Sequence, residues 1–254
     1  MLKYYKVLAK GEKMFEKLEK IQIIFLSIVL AASLLIASIM FTGALSKDQI
    51  TVTGSAYRIV QSDSARLEIE IATREADKAQ SYALAQKQIP IIKEYLKSKG
   101  IAEENIELKA PNGYYTYKTF PNGHMSNEIS RYNLSQNIII TSNDVFKIKE
   151  ISTDISNLVS KGIDLNVFPP AYFYSNLSDL KVQLLEDATK DAKQRASAML
   201  KATNNHVGKI QSVRAGVFQI TSADSTEVAD YGINDTTTIS KKVTSVANVV
   251  YRIR

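Results

Sequence analysis

This chain of 254 residues contains no cysteine and no tryptophan. Without cysteine there is no disulfide staple, no thiol nucleophile and no Cys-ligated zinc, so any domain it forms is held by its apolar core. Histidine is nearly absent as well. His124 follows Pro121-Asn122-Gly123 in a turn, His206 follows Asn204-Asn205 where a helix ends, and neither stands at metal-ligand spacing from a second ligand. There is no Gly-x-Ser-x-Gly, no phosphate-cradling glycine loop and no dinucleotide fingerprint. No catalytic, cofactor-binding or metal-binding residue is assigned, and the chain reads as a non-enzyme. A hydrolase would require a buried Asp or His with a strongly perturbed pKa in a cleft.

Excess charge of one sign is also scarce. The net charge is +6, and half of it sits in residues 1–20, where Lys3, Lys6, Lys10, Lys13, Lys17 and Lys20 face Glu12, Glu16 and Glu19. Beyond that leader the signs alternate, as at Glu68, Glu70, Arg74, Glu75, Asp77 and Lys78, which describes a solvated face and excludes a nucleic-acid surface.

What is present is one long uncharged run, Ile21 to Ser46. At about 1.5 Å per residue, roughly 20 apolar residues span a hydrocarbon core of about 30 Å. Gln22, Ser27, Ser33, Ser38 and Thr42 interrupt the run only with side chains able to bond back to the helix's own carbonyls. The basic leader predicts an N-terminus in the cytoplasm and residues 47–254 outside it, anchored in the cytoplasmic (inner) membrane by a single pass. Small residues at Thr42 and Ala44, or Ala44 and Ser46, would suit a signal peptidase, but the run exceeds the usual 7 to 15 residues of a cleaved signal, so a retained anchor is expected.

Residues 47–254 fit one α+β domain. Alternation over Ile50–Val60 and Ala65–Ile71 predicts two strands, joined as a hairpin. Glu75–Lys99 takes the helical period, with Ala79, Tyr82, Ala83, Ile89, Ile92 and Leu96 on one stripe, Pro90 inside it and Gly100 as a left-handed stop. A bulged strand over Ile106–Tyr117 turns at Pro121–His124 into a strand over Arg131–Thr141. A second helix, capped by Asn143 or Asp144, runs to Gly162. Ser98-Lys99-Gly100-Ile101 and Ser160-Lys161-Gly162-Ile163 end the two helices alike, and each is followed by an extended run. The reading is two strand-helix-strand units in a mixed, mostly antiparallel, ferredoxin-like sheet. A third helix, Ser178–Thr203, shows Leu184, Leu185, Ala188, Ala192, Ala196 and Met199, and strands over Val207–Ile220 and Val243–Ile253 form a C-terminal hairpin. The polar stretch 221–240 between them lacks an apolar period and is expected to be disordered or to meet a partner. Asp187 and Asp191, one helical turn apart among Lys190, Lys193 and Arg195, are read as surface ion pairs.

This order of elements, with Ile50-x-Val52-x-Gly54, Asp63-x-Ala65, the alanine-spaced third helix and Val207-Gly208-Lys209-Ile210 after it, resembles the SIMPL-domain family, long catalogued as a domain of unknown function. The similarity covers about residues 48 to 254. Ala56 and Ser62 depart from the glycine and proline that relatives commonly carry there. The family offers no agreed catalytic residues. The resemblance implies an α+β cell-envelope domain of the periplasm that assembles into homo-oligomeric rings or cages, with a role in envelope or oxidative stress.

One aromatic group remains to be placed. Tyr114, Tyr115, Tyr117, Tyr132, Tyr172 and Tyr174, with Phe120 and Phe173, fall on adjacent predicted strands and are candidates for an oligomer interface or a ligand groove. The expected function is a membrane-anchored, self-associating envelope scaffold or stress factor. The alternative is a periplasmic module binding a small ligand or peptide. The membrane and further copies of the chain are the expected partners, with no nucleic acid and no cofactor.

Overall fold

A computed structural model describes residues 21–41 and 48–254; the basic leader, the small residues suited to cleavage and Lys47 lie outside the described residues. Helix α1, Ile21–Phe41, is long and apolar enough to cross a membrane, and none of it is buried within the protein. Ser27 and Ser33 donate to the carbonyls of Ile23 and Leu30, so these hydroxyls are satisfied inside the helix.

The domain that follows is α+β and holds two sheets. The first sheet contains β2 (Ser64–Glu75), β3 (Ile106–Leu108), β4 (Asn112–Thr119), β5 (Met125–Ser142), β6 (Leu165–Val167) and β7 (Ala171–Phe173). Its core order is β3-β5-β2-β6, all antiparallel. With α2 (Lys78–Ser98) between β2 and β3, and α3 (Val145–Asp154) between β5 and β6, this is the ferredoxin-like arrangement of two strand-helix-strand units. Leu67, Ile69, Ile71, Ile138 and Ile140 from the sheet meet Ile92, Leu96, Ile148 and Ile151 from the helices in one core. Each contributes about 1.5–3 kcal/mol by leaving water.

Both helices start and stop for local reasons. Asp77 is extended and its carboxylate accepts from the Gln80 N–H at 2.9 Å; Asp144 does the same for Lys147. Gly100 follows α2 with φ of +80°; α3 ends at Asp154, short of the expected Gly162, because the chain tightens into a 3-10 helix over Ile155–Lys161, which Gly162 ends with φ of +82°. The inward stripe of α2 is Ser81, Ala85, Ile89, Ile92 and Leu96, whereas Ala79 and Ala83, expected on it, point to solvent. Ser81 faces inward because its hydroxyl donates to the Tyr132 carbonyl at 3.1 Å and accepts from the Glu75 N–H at 3.2 Å. Removing the cap in Asp77→Ala should cost about 1 kcal/mol and leave the fold intact, read as a lower urea midpoint at unchanged slope.

The second sheet contains β1 (Gln49–Gln61), β8 (Val207–Ala215), β9 (Gln219–Ser222), β10 (Ile233–Asn234) and β11 (Ser240–Ile253). The expected β1–β2 hairpin does not form. β1 pairs along its whole length with β11, from Gln49↔Arg252 to Gln61↔Ser240, and the chain then crosses to the other sheet at Ser62 and Asp63. Period-two alternation identifies a strand but not its partner. β8 and β9 follow one another along the far side of β11 and complete the expected C-terminal pairing.

Helix α4 (Leu177–Lys201) covers this sheet with Leu180, Leu184, Ala188, Ala192, Ala196 and Leu200, an unbroken spacing of four. Met199, expected inside, is exposed and Leu200 takes its place. The alanines let β1 come close. A Cβ added to Gly54 would stand 2.1 Å from the Ala188 carbonyl oxygen and 2.3 Å from the Ala192 nitrogen. Asp191 accepts from the Ser55 N–H at 2.8 Å and from Arg195, and Asp187 meets Arg58 and Lys190, so this carboxylate pair fastens α4 to β1.

The stretch 221–240 is tied to its own domain. The Tyr172 N–H donates to the Thr236 carbonyl at 2.7 Å and the Ser62 N–H to the Ile239 carbonyl at 2.8 Å, joining the stretch to both sheets. Asp63 fixes the same junction by accepting from the N–H and hydroxyl of Ser175 at 2.9 and 2.8 Å.

Candidate functional site

The six tyrosines do not form one site. Tyr172 and Tyr174 lie at the junction of the sheets, where Tyr172 is buried in the first core and Tyr174 packs against the Leu180–Leu184 cluster. Burial pushes the Tyr172 phenol above its ordinary pKa, so it stays neutral. β7 meets β2 at Ala65, while Tyr132 meets β2 at Glu75. Ten residues of extended chain separate these positions, roughly 33 Å. Sequence alone identified the aromatic strands; the distance depends on register.

The other four lie along the β4–β5 pairing, on its two faces, and of these Tyr115 and Tyr132 meet. Tyr132 is buried, with Tyr115 edge-on at 4.8 Å between ring centres and Tyr82 of α2 stacked at 6.4 Å. Gly113 makes room for this group, since a Cβ there would lie 2.5 Å from the Tyr132 hydroxyl. Tyr114 is on the opposite face and is 68% exposed. Past the Tyr132↔Glu75 pair, β2 has ended, and β4 and β5 continue as a two-stranded arm through the Pro121–His124 turn. The arm carries exposed Tyr117, Phe120, Met125 and Ile129, and a Lys118–Glu128 ion pair at 2.9 Å is its surface clasp. A two-stranded ribbon is marginal in water without something to pack on.

On the open face of the first sheet, away from α2 and α3, lies a cleft of about 160 Å³ lined by Glu70, Ala72, Arg74, Asn112, Tyr114, Asn133, Ser135 and Asn166, among others. The pairings Ala72↔Ser135 and Ser135↔Asn112 put two small side chains side by side under longer neighbours. Asn166 donates to Glu70 at 3.0 Å, Asn133 donates to the Thr116 hydroxyl at 2.5 Å, and Arg74 is ion-paired with Asp164. The alternation of Glu68 and Glu70 with Ile69 and Ile71, and of Asn133, Ser135 and Asn137 with Leu134, Gln136 and Ile138, was the sequence signal for this face; read alone it indicates only solvation.

Away from the cleft, Lys241 and Asp235 form a buried charged pair. Lys241 is buried at 3% exposure and donates to the Asp235 carbonyl oxygen at 2.6 Å. Burial pushes its ammonium down from the ordinary lysine value, an effect the Asp235 charge only partly reverses. For Asp235 burial acts upward, but hydrogen bonds from Thr238 and Thr237 and the nearby Lys241 outweigh it and hold the carboxyl below its usual range. The Asp235 carboxylate is thus satisfied locally by its own loop. His124 is exposed in its turn, His206 pairs its backbone with Arg254, and among the described residues no three of His, Asp and Glu converge as a metal group.

No curated protein matches the chain. A family model described as SIMPL, protein of unknown function (DUF541), matches residues 50–251. That span runs from β1 through β11, takes in both sheets and leaves α1 outside, so the protein is a member of the SIMPL family carrying an apolar N-terminal helix of membrane-spanning length.

Proposed function

We propose that this protein is a membrane-anchored assembly factor of the bacterial cell envelope, non-enzymatic, whose exported domain binds further copies of itself through the β4–β5 arm. The arm carries the reading: it projects beyond β2 with Phe120, Met125 and Ile129 53%, 72% and 48% exposed. Apolar side chains on an unsupported ribbon favour a covering partner. A retained α1, with the leader in the cytoplasm, holds the domains in two dimensions and raises their effective concentration, so a weak arm contact suffices.

The test is native mass spectrometry of the full chain in lipid nanodiscs and in detergent. The expected result is a discrete oligomer that Phe120→Ser with Met125→Ser converts to monomer at unchanged melting temperature. A strict monomer for the parent chain at high concentration overturns the assembly reading. Replacing all six leader lysines, Lys3, Lys6, Lys10, Lys13, Lys17 and Lys20, by Gln should invert some molecules in the membrane, read by protease protection of the domain.

A further inference from the structure

The cleft on the open face of the first sheet has a chemistry that assembly does not use. We propose that it is a binding site for a neutral sugar unit of a glycan.

Its floor is made by the two smallest side chains of the face, Ala72 and Ser135, held adjacent by the β2–β5 register. Around them stand Glu70, Arg74, Asn112, Asn133 and Asn166, with exposed Tyr114 paired to Asn133 at one end. The space, about 160 Å³, is below the 300–1,000 Å³ of a drug-like apolar pocket and is walled mainly by polar groups. An apolar ligand would strand those groups without partners.

Charge excludes the next class. The lining holds one carboxylate and one guanidinium, and the guanidinium is already ion-paired to Asp164. A phosphate or carboxylate would meet Glu70 without an uncommitted cation to offset it. What fits is a ligand whose groups both donate and accept. The Asn133 amide donates to Thr116, which leaves its carbonyl oxygen as an acceptor; Glu70 takes one bond from Asn166 and keeps a second oxygen; Asn112 and Ser135 bring a donor and an acceptor each. A pyranose offers such hydroxyls around its rim and a C–H face, and the exposed ring of Tyr114 stands beside the cleft to meet that face.

This inference is independent of the assembly reading, since Phe120 and Met125 take no part in the cleft. The experiment is saturation-transfer NMR on the full chain in nanodiscs free of glycosidic detergent, with chitotetraose and maltotetraose as probes at millimolar concentration and inorganic phosphate as competitor. The expected result is saturable transfer to one of the two glycans, indifferent to phosphate. Tyr114→Ala, Asn133→Ala and the floor-filling Ser135→Leu should each weaken it by about tenfold or more at unchanged melting temperature. Tyr57→Ala, on the other sheet, should leave it as it was. The proposal is overturned if neither glycan shows transfer, if phosphate competes, or if transfer survives in Tyr114→Ala and Ser135→Leu alike. The oligomeric state of the same samples is scored separately, so failure of the glycan site and failure of assembly are told apart.

Discussion

Gly54→Ala is expected to lower stability by about 3 kcal/mol, the upper end of overpacking, and Gly54→Val to prevent folding of the second sheet. The new Cβ would lie 2.1 Å and 2.3 Å from backbone atoms of Ala188 and Ala192, so no rotamer change relieves it. Helix α4 would have to retreat by more than 1 Å from β1 along a stripe of alanines that are fully buried. For a domain of this size a loss of about 3 kcal/mol moves Tm down by roughly 6–12 °C. The check is thermal unfolding of the purified protein, with Gly54→Ala combined with Ala192→Gly as the discriminating variant. The second change removes only the Ala192 Cβ, 2.7 Å away, and not the two backbone contacts, so rescue should be minor. Full rescue would show that the side chain, and not the helix backbone, sets the limit.

Asp235→Ala is expected to cost about 3 kcal/mol, because it leaves the buried Lys241 with a backbone carbonyl and no countercharge. Adding Lys241→Met to Asp235→Ala should recover most of that loss, since the uncompensated charge goes with the lysine. If the double variant is no better than the single, the carboxylate acts through Thr237 and Thr238 and not through Lys241. The pH dependence has a definite sign. The Asp235 carboxyl is held below its unfolded value, so its contribution is present above the unfolded carboxylate pKa of about 3.9 and is lost as pH falls through the folded value. Lys241 is also lowered. Its unfolded state then holds the proton more tightly, and stability rises with pH between the folded value and the unfolded value of about 10.4. In Asp235→Asn the acid part of this dependence should shrink.

These two positions also mark how far the sequence could be read. Strands, helices, the glycine stops and the ferredoxin-like order were legible, because alternation, helical period and capping are local properties. Gly54 could be placed on a strand through the Ile50-x-Val52-x-Gly54 pattern, but that a helix packs on it, and which one, could not be read. The partner of β1 lies about 190 residues away, so the apparent β1–β2 hairpin and the single sheet were natural readings of neighbouring strands. Residues 221–240 read as disordered or as meeting a partner because the bonds that join them to Tyr172 and Ser62 are between backbone groups, which leave no trace in side-chain pattern. Of the six tyrosines, Tyr174 falls just past the end of β7, and register is what separates Tyr172 and Tyr174 from the rest. The cleft required knowing that Ala72 faces Ser135, and two small residues so far apart in the chain carry no signal until their strands are aligned.

The pairing of β1 with β11 has a consequence in time. β1 is among the first parts of the domain to be made, and its partner is the last. At about 5–20 residues per second, roughly 10–40 s pass before β11 exists. Throughout that interval the Ile50–Val60 segment is a strand with no neighbour, rich in β-branched residues and short of charge, the kind that joins the wrong chain. The first sheet needs none of β11 and is free to close meanwhile. The first sheet can therefore close before the second has all its strands, and the interval before β11 is made is when escort by a holding chaperone would matter most.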